Sequence, residues 1–295
     1  VLPNGDIIWT GANVLKNATG YNLTSLIVGS EGTLAIVTKI VLKLIPAPAF
    51  NLLLSVPFTS AVHACTAVSE IFKAGITPSA MEFMERDAIL YSQSYLNDYT
   101  WVLDKDTQAV LIIEVDGMYM ETLYQDCEKI SNILSSYTNS EILFADTEDQ
   151  KNKLWYLRRN IGHAVKSNGY YKEEDTVVPR AFLPQLLQGV KDIGNTYNFK
   201  SICYGHAGDG NLHVNILRED LDDDFWDNKL SLAIEEIFHL VVKLGGTISG
   251  EHGIGLVQKR FMPIAFGETQ IELMRNIKKT FDPKGILNPS KIFPE

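Results

Sequence analysis

The 295 residues, 45% hydrophobic, 10% aromatic and 21% charged, fit one large globular domain or two ordinary ones, long enough to bury a core without disulfides or a structural metal. With 36 Asp and Glu against 26 Lys and Arg the formal charge is -10, and no run of basic residues would neutralise phosphates or an anionic leaflet, so neither nucleic acid nor a membrane surface is an expected partner. The longest apolar stretches, 36–45 and 109–115, are broken by charge or too short to span a bilayer, so no transmembrane helix is expected.

In chain order, residues 1–6 (Val1-Leu2-Pro3-Asn4-Gly5-Asp6) read as a hairpin turn and lack the basic and apolar regions of a targeting segment. Residues 26–44 alternate like a hairpin laid on a core, interrupted by Gly29-Ser30-Glu31-Gly32. Pro46 and Pro48 cannot donate to a sheet ladder, and residues 45–49 are therefore the expected domain boundary. Beyond it, strands are expected at 51–57, 80–84, 109–115 and 141–144, with helices at 60–75 and 121–136. Thr147 with Gln150 three residues on has the form of a capping box and opens a helix to about 168. A short strand at Val177 and Val178, a helix at 182–197, strands at 201–204 and 212–217, a helix at 222–244, a strand near Thr247 and a helix at 268–280 complete the series. The expected class is α+β, a ferredoxin-like, antiparallel or mixed sheet covered by helices. Cys65, Cys127 and Cys203 lie far apart without a Cys-x-x-Cys pair, so they read as small buried residues of a protein from a reducing cytoplasm.

Three clusters carry candidate chemistry. In Tyr204-Gly205-His206-Ala207-Gly208-Asp209-Gly210-Asn211-Leu212-His213-Val214-Asn215, the glycines permit a sharp turn that brings two strand ends, and with them His206 and His213, toward one point. Two readings stand for that pair: a structural pair of imidazoles, or two ligands of one metal ion. Asn215 lies two residues beyond His213 on the same expected strand face, placed to orient a ligand or touch a substrate. In Gly245-Gly246-Thr247-Ile248-Ser249-Gly250-Glu251-His252-Gly253-Ile254-Gly255, a carboxylate and an imidazole sit in a frame of glycines, either as a solvated surface turn or as part of a site. Glu251 would complete a two-histidine, one-carboxylate set suited to zinc, manganese or iron, and His252 would then serve as a base. The third is the basic helix Trp155-Tyr156-Leu157-Arg158-Arg159, followed by Lys166, Lys172 and Arg180. It is either a solvated face or the source of an arginine for a substrate carboxylate. A Walker A loop and His-Glu-x-x-His are absent, and Gly205-x-x-Gly208-x-Gly210 does not match the dinucleotide fingerprint.

Four segments in order, Ala18 to Leu23 with Val28 to Leu34, Gly205 to His213, Ser249 to Gly255, and Phe281 to Pro289, resemble the C-terminal portion of the FAD-linked oxidases that act on D-2-hydroxy acids. That group includes D-lactate dehydrogenase, D-2-hydroxyglutarate dehydrogenase and the flavin subunit of glycolate oxidase. The resemblance implies that residues 1–46 are the last part of a vanillyl-alcohol-oxidase-type FAD-binding domain. Residues 47–295 would be the substrate or cap domain, with 281–295 returning to the flavin side. The loop that grips the FAD pyrophosphate would precede Val1, and the chain alone would be inactive. Gly29, Ser30, Glu31, Gly32, Ile36 and Asn288 would lie beside the flavin. His206, His213 and Glu251 match the family's divalent metal ligands, His252 its general base, Arg158 its carboxylate-binding arginine and Asn215 a substrate contact. Arg159 leans toward the lactate and glycolate branch. Lys172 is a candidate for the family's lysine, but the spacing Lys172-Glu173-Glu174-Asp175 makes that alignment ambiguous and leaves its role open. The implied activity is oxidation of a D-2-hydroxy acid to the 2-oxo acid, with electrons passed to an acceptor that the sequence does not name. Two rival expectations are a metal-dependent hydrolase built on the same ligands and an inactive substrate-binding module.

Overall fold

The structure, a computed structural model, describes residues 1–294. The chain forms two compact units, Ala47–Gly250 and the pair of segments Val1–Pro46 with Glu251–Glu295.

Ala47–Gly250 is built on a seven-stranded sheet of β1 (Phe50–Phe58), β2 (Ala80–Glu85), β3 (Ala109–Gly117), β4 (Leu143–Ala145), β5 (Tyr171–Val177), β6 (Lys200–Gly205) and β7 (Asn211–Leu217), in the order β4-β1-β3-β2-β6-β7-β5. Every neighbouring pair runs antiparallel. The central strands β1 and β3 are nearly continuous apolar runs because helices cover both sheet faces.

On one face lie α2 (Ala61–Lys73), α4 (Met120–Leu134), α6 (Leu183–Tyr197) and α7 (Leu230–Lys243); α3 (Arg86–Leu96) and α5 (Glu148–Ser167) pack together on the other. Ser60 caps α2, accepting from the backbone N–H of His63, and Ala64, Cys65, Ala67, Val68 and Ile71 form its buried stripe. At α5 the expected capping box is present, and Lys151, Leu154, Leu157, Arg158, Ile161, Ala164 and Val165 face inward at a spacing of three and four. On the far face, Glu85 Oε2 accepts from Lys191 Nζ at 2.8 Å and from Cys203 N at 2.6 Å, tying α6 to β2 and β6. All three cysteines are free and buried, and burial pushes the Cys203 thiol up to about 12 and that of Cys127 to about 11. They carry no accessible thiolate.

Several elements differ from expectation. Helix α3 had no expected counterpart, because its inward face includes Ser92 and Gln93; Ser92 donates to the Leu157 carbonyl at 2.8 Å. Strand β5 begins six residues earlier than Val177, and its run of charge had masked it. The strand expected near Thr247 is a single bridge to Val177, and the expected helix at 222–244 opens with a π-helical turn, Phe225–Lys229, before α7.

In the other unit the expected hairpin at 26–44 is replaced by a short helix, α1 (Leu23–Ile27), and an extended stretch without strand pairing. Alternation makes a strand only where another strand takes its N–H and C=O groups. Within this stretch Ile36 exchanges hydrogen bonds with Val1 at 2.8 and 3.0 Å. Thr33, Leu34 and Ala35 are buried, whereas Ile36, Val37, Ile40, Val41, Leu42 and Leu44 are exposed. The unit also contains α8 (Met262–Ala265) and α9 (Glu268–Phe281), and Met262, Ile271 and Ile292 form its small core.

Candidate active site

The β6–β7 connection carries the first histidine cluster. Gly205 admits no side chain, since a Cβ there would lie 2.5 Å from the Asn211 carbonyl oxygen. Gly210 closes the turn at φ +77°, and a Cβ on it would lie 2.0 Å from the Val178 carbonyl oxygen. Gly210→Ala is therefore expected to destabilise the unit by about 2 kcal/mol or more, read as a lower urea midpoint. An unchanged midpoint would show that the turn relaxes without cost.

This turn sends His206 off the end of β6, while His213 enters the sheet on β7 opposite Tyr204. The two rings have centroids 5.8 Å apart and planes 79° apart, and a nitrogen of one lies within 4.8 Å of a nitrogen of the other. Each Nδ1 faces carboxylate oxygen. Glu82 Oε1 is 2.9 Å from His206 Nδ1, and Asp175 Oδ1 and Glu173 Oε1 are 3.5 and 3.6 Å from His213 Nδ1. The β5–β7 register places Asp175 opposite His213 and Glu173 opposite Asn215, so all four side chains share one sheet face. Asp175 is itself fixed, accepting from Asn211 Nδ2 at 2.7 Å and from Gly250 N at 3.0 Å.

Arg158 is not a solvated helix residue but is buried against the sheet. Its Nε and Nη2 lie 2.9 and 2.6 Å from Glu82 Oε2, and its guanidinium stands 5.3 Å from the Tyr204 ring centroid. Only the guanidinium edge turned away from Glu82 can meet a substrate carboxylate. Burial raises the Glu82 carboxyl, but the hydrogen bonds and charges of His206 and Arg158 outweigh it and hold it below the usual carboxylate range. Burial, with the charge of Glu173, pushes the Tyr204 phenol far up, so it stays protonated. Asn215 is fully buried, and its Nδ2 donates to the Ile202 carbonyl at 3.4 Å.

Two arrangements fit a divalent ion here: imidazoles at right angles with nitrogens close together, and Nδ1 atoms backed by carboxylates, which is how proteins orient histidine ligands. Glu82, Glu173, Asp175 and Tyr204 join the site through sheet register and packing, which no local motif marks. Glu82 had a readable signal, a lone carboxylate in the apolar run Ala80-Met81-Glu82-Phe83-Met84.

The other unit holds the remaining residues. Glu251 and His252 are exposed on the bend before Gly253. The Gly29–Gly32 segment forms a turn in which Thr33 N and Oγ1 both donate to the Ser30 carbonyl. Glu31 adopts φ +48°, and its carboxylate accepts from Ile254 N and Gly255 N, both at 2.7 Å. Asn288 Nδ2 donates to the Glu31 carbonyl at 2.5 Å, so two expected flavin-side residues meet in one turn. Among the described residues beyond their chain neighbours, nothing stands within 4 Å of a Cβ built on Gly29 or Gly32, which leaves room for a ligand against this backbone, and Ile36 is exposed.

Residues 47–292 match the family model for the C-terminal domain of FAD linked oxidases. The chain belongs to that family. The glycolate oxidase subunit GlcD of Bacillus subtilis is 37% identical over 99% of this chain and 62% of its own length. A D-lactate dehydrogenase of Anaerostipes hadrus is 32% identical over 99% of this chain and also 62% of its own length. The chain thus spans about three-fifths of these FAD-linked oxidase relatives. Among solved structures, p-cresol methylhydroxylase with bound substrate aligns with a TM-score of 0.61 at 13% identity, covering 84% of this chain and 53% of that one. The 4-ethylphenol oxidase of Gulosibacter chungangensis aligns with a TM-score of 0.59 at 14% identity, covering 85% of this chain and 55% of that one. These two show a shared fold. Among the described residues no helix is long and apolar enough to cross a membrane.

Proposed function

We propose that this chain is the substrate-side portion of a flavin-dependent enzyme that oxidises a D-2-hydroxy acid, of the lactate or glycolate kind, to the 2-oxo acid. The observation that carries the reading is the pair His206 and His213, each with a carboxylate at Nδ1, beside the buried Arg158. The relatives named glycolate oxidase subunit and D-lactate dehydrogenase support the substrate class. In this reading residues 1–46 are the end of the FAD-binding domain and 47–295 the substrate domain.

His206, His213 and Glu251 hold a divalent ion of zinc, manganese or iron type, and Gly29, Ser30, Glu31, Gly32, Ile36 and Asn288 border FAD. When bound, the ion supplies Lewis acidity at the substrate hydroxyl and FAD supplies the hydride acceptor for Cα. Arg158 binds the substrate carboxylate through its outer guanidinium edge, the inner edge being occupied by Glu82. Asn215, buried and bonded to the Ile202 carbonyl, presents a fixed amide to the substrate. His252 takes the proton of the substrate hydroxyl as the Cα hydrogen leaves.

The test uses the full-length flavoprotein containing this chain, mixed anaerobically with D-lactate, L-lactate or glycolate while the yellow absorbance of FAD is followed. Bleaching by D-lactate or glycolate, and not by L-lactate, is expected. A flavin left oxidised by every 2-hydroxy acid tried would overturn the proposal.

A further inference from the structure

We propose that Glu82 is a positioning residue that sets His206 as a metal ligand and Arg158 as a carboxylate clamp through its two separate oxygens. The inference rests on the functional reading above and deepens it.

Glu82 sits on β2, 6% exposed, one residue before Phe83, which pairs with Gly205 at the end of β6. That register places its carboxylate beside the point where the chain turns to His206, and α5 lays Arg158 over it from above. The division of labour is explicit. Oε1 meets His206 Nδ1 at 2.9 Å, and Oε2 meets Arg158 Nε at 2.9 Å and Nη2 at 2.6 Å.

An ionised carboxylate only accepts, so the imidazole nitrogen facing it carries the proton. The neutral ring then keeps its lone pair on Nε2, the tautomer that ligates a metal through that atom. The same carboxylate holds the Nε and Nη2 edge of the guanidinium, which fixes the plane of the remaining edge. One side chain therefore aligns a metal ligand from the β6–β7 turn with a cation from α5.

Glutamine cannot replace it. An amide offers one accepting oxygen and one donating NH2. With the oxygen toward Arg158, the NH2 faces His206 Nδ1 and favours the tautomer protonated at Nε2, which cannot ligate there. With the oxygen toward His206, the NH2 faces the guanidinium, donor against donor. Aspartate keeps two accepting oxygens on a shorter arm and preserves the polarity of both contacts.

The experiment titrates zinc into the chelator-stripped full-length flavoprotein against a competing indicator, for wild type, Glu82→Gln, Glu82→Asp and His206→Ala. The ring nitrogens of His206 are followed in parallel by 15N NMR. Wild type is expected to show a proton on Nδ1, and Glu82→Gln to bind zinc roughly 10–100-fold more weakly with that proton moved to Nε2. Glu82→Asp should recover most of the zinc affinity, and the KM for D-lactate should rise in Glu82→Gln as Arg158 loses its alignment. Undiminished zinc affinity in a folded Glu82→Gln protein would overturn the positioning role while leaving the functional reading standing. If Glu82→Gln does not fold, the wild-type spectrum decides, because a proton on Nε2 of His206 overturns the proposal without any variant. Equal zinc binding by wild type and His206→Ala would bring down the metal reading, and this inference with it.

Discussion

Replacing His213 by alanine is expected to remove zinc from the protein and to reduce flavin reduction by a D-2-hydroxy acid to a trace. The residue is 6% exposed, set between β5 and β6 on the sheet face that carries Asn215, Glu173 and Asp175. Loss of an outer partner of a metal-bound histidine costs roughly 10–100-fold in metal affinity, and loss of a ligand costs more. Substrate alignment fails with the ion, so the chemical step falls together with affinity. The fold should survive, because Asp175 keeps its bonds from Asn211 and Gly250 and the β6–β7 ladder is main chain. The measurement pairs elemental analysis of the full-length protein with a urea melt. A variant that keeps the metal at wild-type stoichiometry but loses several kcal/mol of stability would make His213 a structural core residue instead.

How much of this was legible follows from where the information is stored. Thr147 and Gln150 announce α5 because a capping box is four consecutive residues, and the glycines around His206 and His213 announce a tight turn for the same local reason. Glu82 and Asp175 acquire their meaning only from register. Phe83 pairs with Gly205 and Asp175 with His213 across separations that no sequence window spans. The run Lys172-Glu173-Glu174-Asp175 hid a strand because its charges divide between two faces, Glu173 and Asp175 toward the histidines and Glu174 away from them. Arg158 read equally well as a solvated cation, and only its partner Glu82, far away in sequence, makes burial of its charge tolerable. The alternation at 35–44 is real, but a strand is a property of a pair, and among the described residues this stretch exchanges backbone bonds through Ile36 and Val1 without forming a ladder.

His252→Ala is expected to slow reduction of the flavin by substrate by roughly 10²–10⁴-fold while altering substrate affinity far less. The proposed role is removal of the hydroxyl proton, a requirement of the transition state, so the loss should fall on kcat and kcat/KM together and leave KM nearly unchanged. The residue is exposed, followed by Gly253 at φ +77°, where an added Cβ would lie 2.8 Å from Glu31 Oε1. The bonds from Ile254 N and Gly255 N to the Glu31 carboxylate fix the backbone just beyond His252 without using its ring. Truncation should leave the protein folded, checked by a urea melt beside wild type. Added imidazole should restore part of the rate in the full-length variant, since a missing base can be replaced from solution whereas a missing scaffold cannot. Flavin reduction at the wild-type rate would transfer the proton-accepting role to another group.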